Sequence, residues 1–390
     1  MVYKGEKTNN NFNISKIRSS YKPLTQNCIN TQSMKTGKLS ISSLSILFLF
    51  LFFTSCSESK SKTDSNSALK TESKALQEGE ELAEDEATIE KIEYEPADTA
   101  LYNKKLKELA NGDTTGKWPV KKQPYPLPGA ILPYKRVVTY YGNLYSKKMG
   151  ALGEYAPKEM LRMLYAEVAK WEKIDPKTPV QPALHYIAVV AAGDPGKDGK
   201  YRNRMPDKQI DSVLTISRMK KNMIVFLDIQ VALSTIREEL PRLEKYLKMP
   251  NVHLGIDPEF SMKGGILPGK KIGTYDASEI NYASDYLAKL VRTHNLPPKI
   301  FVIHRFTKKM VTNYQNIKLR PETQIVMHMD GWGEPELKRG THRHFIYSEP
   351  VQFTGFKIFY KNDLKKAPNR LMTPEDLIKL KPQPSYIQYQ

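Results

Sequence analysis

The stretch "NVHLGIDPEF", residues 251–260, is an apolar run that ends in two carboxylates on either side of a proline. A short run rich in valine, leucine and isoleucine is typical of a buried β-strand. Pro258 cannot donate a hydrogen bond to a neighbouring strand, so strand pairing ends near it. Asp257 and Glu259 stand two residues apart, and side chains at that spacing face the same way in extended chain. The sequence therefore predicts a buried strand with two acids at its carboxyl end.

Seven further stretches share this pattern of an apolar run that turns polar at its end. They cover residues 136–141, 183–192, 222–230, 299–304, 323–330, 353–360 and 385–390. Amphipathic patterns between these runs predict helices. The helices are expected at 157–171, around 210–214, at 234–247 with a break at Pro241, from Asp276 through Leu290 behind a capping box with Glu279, near 308–317 and at 375–380.

Eight strands alternating with helices in about 255 residues predict a (β/α)8 barrel of the TIM type, an α/β fold. Apolar residues make up 40% of the chain, which is enough for a sizeable core. No helix is expected after the last strand, and segment 101–110 is predicted to cover the gap that this leaves. The alternative is an open doubly wound sheet. A glycine-rich phosphate loop after the first strand would favour that alternative, and residues 140–150 lack its spacing.

The amino-terminal part of the chain divides into three segments. Residues 1–33 have no periodic pattern and are predicted to be unstructured, or translation starts at Met34. Residues 34–55 have lysines followed by a mostly apolar run, which is typical of a signal peptide and too short to span a hydrocarbon core of about 30 Å. Residues 56–95 are acidic and poor in aromatic residues, and they predict a disordered tether. Residues 96–390 hold the barrel domain with an amino-terminal extension.

The sequence "FTSC", residues 53–56, resembles the lipobox of bacterial lipoproteins. The resemblance implies that Cys56 carries a lipid and that the protein is anchored to a membrane of the bacterial cell envelope. The alternatives are an ordinary signal peptide with a chance cysteine, or a permanent transmembrane helix. The only other cysteine is Cys28, so the barrel domain has neither a disulfide nor a cysteine ligand.

The chain has a formal net charge of +18, and the positive charge is concentrated in residues 96–390. No zinc knuckle, aromatic RNA-binding pair or basic recognition helix accompanies it, and export removes the usual partner, so nucleic acid is excluded. An anionic or neutral glycan, or a lipid headgroup, is the expected partner.

Polar side chains at the strand ends form the candidate site, because barrel active sites lie at the carboxyl ends of the strands. The candidate catalytic residues are Glu259, Asp257, Asp228 and Asp330. The candidate substrate-binding residues are Tyr141, Asn143, Gln230, His304, His328, Trp332 and Gln388. His185 and His253 lie in mid-strand and are expected to be core groups, and His342 and His344 are expected in an exposed basic turn.

Three loops, at 193–207, 260–275 and 331–352, are longer than the usual 2 to about 6 residues of a barrel connection. They are expected to build a cleft around the strand ends. Their basic side chains predict a positively charged rim above an acidic floor, and these are Lys197, Lys200, Arg202, Arg204, Lys263, Lys270, Lys271, Arg339 and Arg343.

The "DPE" at the end of one middle strand, with "LDIQ" before it and "QYQ" at the end of the last strand, is similar to barrel glycosidases, including the lysozyme-type muramidases of family 25. The resemblance implies glycoside hydrolysis by paired carboxylates. It implies Glu259 as general acid, Asp257 as its partner, and Asp228 or Asp330 on the opposite side. Asn143 departs from the pattern, since that family has an aspartate in its first strand. The domain also resembles uncharacterised exported bacterial barrel proteins, which implies no activity.

Two other functions remain open from the sequence. The first is a divalent-metal hydrolase of phosphoesters, with carboxylate and imidazole ligands from Asp228, Asp257, Glu259, His304 and Asp330. No local motif such as HxH or HExxH supports it. The second is a non-catalytic glycan-binding barrel. The glycosidase hypothesis itself requires no metal and no cofactor.

Overall fold

The structure, a computed structural model, describes residues 96–390. The predicted signal peptide, Cys56 and the tether lie outside the described residues. Within them the strands are β1 (Arg136–Gly142), β2 (Val180–Ala191), β3 (Arg202–Arg204), β4 (Ile224–Ile229), β5 (Val252–Ile256), β6 (Tyr275–Asp276), β7 (Lys299–Arg305), β8 (Val311–Thr312), β9 (Thr323–Met329), β10 (Phe353–Ile358) and β11 (Tyr386–Tyr389). All eight predicted strands are among them.

Eight of these strands form a closed parallel barrel. The order around it is β1, β2, β4, β5, β7, β9, β10 and β11, and β1 pairs in parallel with both β11 and β2. This closure confirms the predicted (β/α)8 barrel and excludes the open sheet. Of the remaining strands, β3 pairs antiparallel with the end of β2, and β6 and β8 form a separate parallel pair.

The helices among residues 96–390 are α1 (Thr99–Ala110), α2 (Ala151–Glu154), α3 (Pro157–Ile174), α4 (Asp207–Arg218), α5 (Ile236–Glu239), α6 (Glu244–Leu247), α7 (Ala277–Thr293), α8 (Pro335–His342) and α9 (Pro374–Leu377). A 3-10 turn at Leu240–Leu243 separates α5 from α6. This is the predicted break at Pro241, which lacks an N–H for the helical ladder. α7 begins with the predicted capping box of Asp276 and Glu279. None of the helices in this part of the chain is long and apolar enough to cross a membrane.

Two connections differ from their predictions. Residues 308–317 form two 3-10 turns around β8 rather than a helix, because Asn313 adopts a left-handed conformation with φ of 54° and β8 pairs with β6. Residues 331–352 contain α8 and one π-helical turn rather than a plain loop, since Glu334 caps the start of α8. His342 is therefore buried in α8, whereas His344 is exposed as predicted.

Helix α1 closes the amino-terminal end of the barrel, and its last turn also contacts the segment before β11, where the backbone N–H of Gln383 donates to Leu109 at 2.8 Å. Tyr102 and Leu106 of α1 pack against the inward side chains at this end of the strands. These side chains, here called the apolar layer, are Val137, Ala183, Ile224, Phe226, Ile300, Val302, Val326 and Phe353. An open apolar layer would face water, and burying it under α1 removes that cost.

Candidate functional site

The barrel interior changes from apolar to polar toward the carboxyl ends of the strands. The inward side chains above the apolar layer, here called the polar layer, are Tyr141, His185, Asp228, His304, His328, Asp330, Lys357, Tyr386 and Gln388. Every member is at most 7% exposed. Buried polar groups are costly unless they are paired, so their arrangement decides what this layer can do.

Asp228 lies at the centre of the polar layer and is fully buried. Its Oδ2 accepts a hydrogen bond of 3.0 Å from the hydroxyl of Tyr141. Its Oδ1 lies 3.5 Å from Nε2 of His185 and 3.6 Å from Nε2 of His304. Three strands, β2, β4 and β7, thus aim one side chain each at the same point.

Two glycines leave the room that the polar layer occupies. A Cβ at Gly255 in β5 would lie 2.5 Å from both Oδ1 of Asp228 and Nε2 of His185. A Cβ at Gly355 in β10 would lie 2.5 Å from Nδ1 of His328. Any larger residue at either position would displace these polar side chains.

A second set of contacts runs from His304 to the mouth of the barrel. Nδ1 of His304 lies 2.8 Å from Oδ2 of Asp330, and Nζ of Lys357 lies 2.9 Å from Oδ1 of the same carboxylate. The ammonium of Lys357 also lies 4.0 Å from the ring centre of Tyr141, within the range of a cation–π contact. Asp330 is therefore held between two basic groups.

A pocket of about 430 Å³ opens above the polar layer at the carboxyl ends of the strands. Seven of the predicted site residues line it, and these are Tyr141, Asn143, Gln230, Asp257, Glu259, Asp330 and Trp332. Lys357 and the aromatic side chains of Phe260, Phe306 and Phe359 complete much of the wall. The other four predicted residues, Asp228, His304, His328 and Gln388, are buried and are absent from this lining.

Asp257 and Glu259 hold their protons more tightly than ordinary carboxyl groups. Oδ1 of Asp257 accepts from the backbone N–H of Glu259 at 3.1 Å, and Oδ2 accepts from Nε2 of Gln230 at 3.3 Å. Burial nevertheless raises the pKa of Asp257 to about 7. Burial also raises the pKa of Glu259 well above its usual value, and the charges of Asp257 and Asp330 add to the effect.

The other two acids are ionised. Burial alone would raise the pKa of Asp330, but Lys357 and His304 hold it well below its usual range. The pKa of Asp228 is lowered as well, because the effect of His304 and His185 outweighs that of burial. Burial would lower the pKa of His304, yet Asp228 and Asp330 raise it. Burial lowers the pKa of His185 to about 4.

Three members of the polar layer were missed by the sequence analysis. Lys357 stands inside the apolar run "FTGFKIFY", and its one signal is that it shares a strand face with Gly355 and Phe359. His185 was expected to be a core group, and it is buried but contacts Asp228. Nδ1 of His185 lies 2.5 Å from the hydroxyl of Tyr386, which stands two residues before Gln388. His253 is a core group as predicted, with Nδ1 accepting from a backbone N–H at 3.0 Å.

Several charges of the predicted basic rim are paired with acids. Arg202 lies 2.7 Å from Asp198 and 2.8 Å from Glu239, which Arg204 also contacts at 2.7 Å. Lys263 pairs with Glu279 at 2.5 Å, and Arg339 with Asp376 at 3.0 Å. These pairs reduce the net positive charge that the rim presents to a ligand.

Two groups of described residues have the composition and spacing to hold a metal ion. One is His185, Asp228 and His304, and the other is His304, His328 and Asp330. Neither group includes Asp257 or Glu259, which the metal-hydrolase hypothesis also named as ligands.

No protein-family model matches the chain, and a search of curated proteins finds no significant match. The resemblance to family 25 muramidases therefore has no support from sequence comparison. The barrel fold is established by the structure, and barrels host many unrelated chemistries.

Proposed function

We propose that the barrel is a hydrolase that cleaves a glycosidic bond with paired carboxyl groups. The observation that carries the proposal is the difference in pKa among three acids that line one pocket. Asp257 and Glu259 have raised pKa values, whereas Asp330 has a lowered one. A protonated acid beside an ionised carboxylate is the combination that glycoside hydrolysis requires.

Glu259 is the general acid in this proposal. It is half-buried and lines the pocket, whereas Asp257 is 3% exposed and lies against Gln230. The charge of Asp257 helps to raise the pKa of Glu259, so Asp257 acts as its partner. Asp330 is the ionised carboxylate that would face the developing positive charge on the sugar or activate a water.

The pocket walls suit a sugar. Tyr141, Trp332 and Phe359 line the pocket, and aromatic rings offer apolar faces to sugar rings. Its volume of about 430 Å³ lies within the usual range of small-molecule sites. Gln230 and Asn143 also line the pocket, with their amides held by hydrogen bonds to Asp257 at 3.3 Å and to the carbonyl of Ile187 at 3.0 Å.

A non-catalytic glycan-binding barrel is the second candidate, and the contacts of Asp330 favour it. Both oxygens of Asp330 already face basic groups, at 2.8 Å from His304 and 2.9 Å from Lys357. A carboxylate held in this way is a weaker nucleophile and a weaker base. The pocket would then bind a glycan without cleaving it.

The Glu259→Gln variant separates the two candidates. The wild-type protein, incubated with peptidoglycan and a panel of neutral and acidic glycans, should release new reducing ends that mass spectrometry detects. Glu259→Gln should lose at least about 100-fold in rate, since general-acid catalysis contributes that much or more. Glu172→Gln, which changes an exposed glutamate on α3, is the matched control and should keep full activity.

Glycan retention by the wild-type protein without any product would reject the hydrolase and support the binding protein. Full cleavage by Glu259→Gln would remove the general-acid role from Glu259.

We also propose that the barrel works in the bacterial cell envelope, anchored through a lipid on Cys56. The support is the sequence of residues 34–56 alone, which lies outside the described residues. In a bacterial host that processes lipoproteins, Cys56→Ser should move the exported protein from the membrane fraction to the soluble fraction. Continued membrane association of the cleaved variant would contradict the lipid anchor.

A further inference from the structure

Three buried ligand atoms face one another in the polar layer without a hydrogen-bond partner. They are Nε2 of His185, Oδ1 of Asp228 and Nε2 of His304. All three side chains are fully buried, and the three atoms lie within 4.8 Å of one another. Other buried atoms of residues 96–390 also lack a hydrogen-bond partner, Nε2 of His253 among them, but these three face one another. Because buried polar atoms are usually paired, their convergence indicates a shared missing partner such as an ion.

The spacing of these atoms fits a metal ion better than direct hydrogen bonds. Oδ1 of Asp228 lies 3.5 Å and 3.6 Å from the two imidazole nitrogens, which is longer than a good N–H···O bond. Zinc binds imidazole nitrogen and carboxylate oxygen at about 2.0–2.2 Å in a tetrahedron, so its ligand atoms lie about 3.4 Å apart. The observed separations are close to that value.

The polar atoms of these three side chains that face away from the proposed ion have hydrogen-bond partners, as such atoms do in metal sites. Nδ1 of His304 lies 2.8 Å from Oδ2 of Asp330, and this imidazole–carboxylate contact leaves Nε2 of His304 facing Asp228. Nδ1 of His185 meets the hydroxyl of Tyr386 at 2.5 Å. Oδ2 of Asp228 is held by Tyr141. Metal-bound histidines and carboxylates are oriented by such outer contacts.

The second candidate group is less suited to a cation. Its carboxylate, Asp330, already has the ammonium of Lys357 at 2.9 Å and the ring of His304 at 2.8 Å. In the first group, no lysine or arginine of residues 96–390 forms an ion pair with Asp228. Gly255 also keeps the first group open, since a Cβ there would lie 2.5 Å from two of the three ligand atoms.

We propose that His185, Asp228 and His304 bind one first-row transition-metal ion beneath the floor of the pocket, with Zn²⁺ as the ion that two imidazoles and a carboxylate suit. The three ligands are fully buried and are absent from the pocket lining. The ion would hold Asp228 and His304 in place and, through His304, position Asp330 at the pocket. This site does not depend on glycan cleavage, because metal binding can be measured without a substrate.

The test is metal content and metal affinity of the full chain. The purified protein is analysed by inductively coupled plasma mass spectrometry, stripped with a chelator, and titrated with Zn²⁺ and with Co²⁺, whose visible absorption reports coordination. We expect one ion per chain and Co²⁺ bands of a low-coordinate site. His185→Gln and Asp228→Asn should each weaken binding by more than about 100-fold, since even outer contacts are worth about 10–100-fold.

The matched control is His253→Gln, which changes a buried histidine outside the group. It should keep stoichiometric binding, and circular dichroism verifies the fold of every variant. Tyr386→Phe removes the hydroxyl that meets Nδ1 of His185 and that also accepts from Nε2 of Gln388 at 2.9 Å. It should weaken binding by about 10-fold while the chain stays folded.

Less than stoichiometric binding of both ions by the folded wild-type protein would overturn the proposal. A proton on His304 would then be what occupies the space beside Asp228. Unchanged Co²⁺ spectra in the folded His185→Gln and Asp228→Asn variants would overturn it as well, since the ion would then bind elsewhere.

Discussion

The two ends of the barrel interior are built from the same strands and have opposite character. In β7, Ile300 and Val302 belong to the apolar layer, and His304, two residues further, belongs to the polar layer. In β9, Val326 is followed by His328 in the same way, and Asp330 comes directly after the strand. The comparison indicates that the apolar end of each strand stabilises the fold, whereas the other end carries buried polar and charged groups whose burial costs stability.

The apolar layer stabilises the barrel in the ordinary way. Burial of a whole isoleucine or phenylalanine side chain contributes about 1.5–3 kcal/mol, and α1 excludes water from this end. In the polar layer burial is unfavourable, because an ion removed from water costs several kcal/mol of folding free energy unless its partners are well placed. Stability measurements at the two ends should therefore respond differently to substitution and to pH.

The largest effect is expected at Lys357, the cation that neutralises Asp330. Lys357→Met removes the one ammonium that pairs with Asp330 in the polar layer, and loss of one partner of a buried ion pair costs about 3–5 kcal/mol. Urea unfolding of the variant at pH 7 measures the loss. The control is Lys361→Met, since Lys361 is 70% exposed and pairs with Glu154 at the surface. Its expected loss is at most about 1 kcal/mol.

The double variant Lys357→Met/Asp330→Asn sharpens the same comparison. It removes the unpaired carboxylate together with the lysine and should recover a large part of the lost free energy of unfolding. Equal losses for Lys357→Met and Lys361→Met would show that the polar layer contains no strongly coupled ion pair. Substitution of Lys357 would then cost no more stability than substitution of a surface lysine, and the proposed difference between the two layers would not hold at this position.

The apolar part of each strand was predictable from the sequence, and the polar layer was predictable only in part. All eight runs had enough valine, isoleucine and aromatic residues to predict a buried strand, and the polar residues after them marked the strand ends. The helix predicted at 308–317 was wrong because β8 pairs with β6, and this tertiary contact cannot be predicted from the local sequence. The prediction of a plain loop at 331–352 was wrong because α8 is short and polar, with little apolar periodicity that would have indicated a helix.

The missed site residues share a physical reason. Lys357, His185 and Tyr386 stand inside apolar runs, and only closure of the barrel brings their side chains to one point. The missing Cβ of Gly255 is what leaves room for Asp228 and His185, and the apolar run around this glycine does not indicate that role. The local sequence predicts where a strand ends, but it does not predict which side chains of different strands meet inside the barrel.

A smaller and pH-dependent effect is expected at Asp257, which forms no ion pair with a lysine or arginine within residues 96–390. Its pKa is about 7 in the folded protein, against about 3.9 for an unfolded aspartate. Between these values the unfolded chain releases a proton that the folded chain keeps, so stability falls as pH rises from about 4 to about 7. Asp257→Asn removes this loss, and the variant should gain stability relative to wild type over that range by a few kcal/mol.

Urea unfolding of both proteins from pH 4 to pH 8 measures the difference. Asp211→Asn, which changes an exposed aspartate on α4, is the control and should leave the pH dependence as it is in wild type. If Asp257→Asn and wild type differ by a constant amount across the whole range, Asp257 titrates like an ordinary surface acid. Such a result would also weaken the proposed acid role of Glu259, because the raised pKa values of both acids arise from the same burial at the mouth of the pocket.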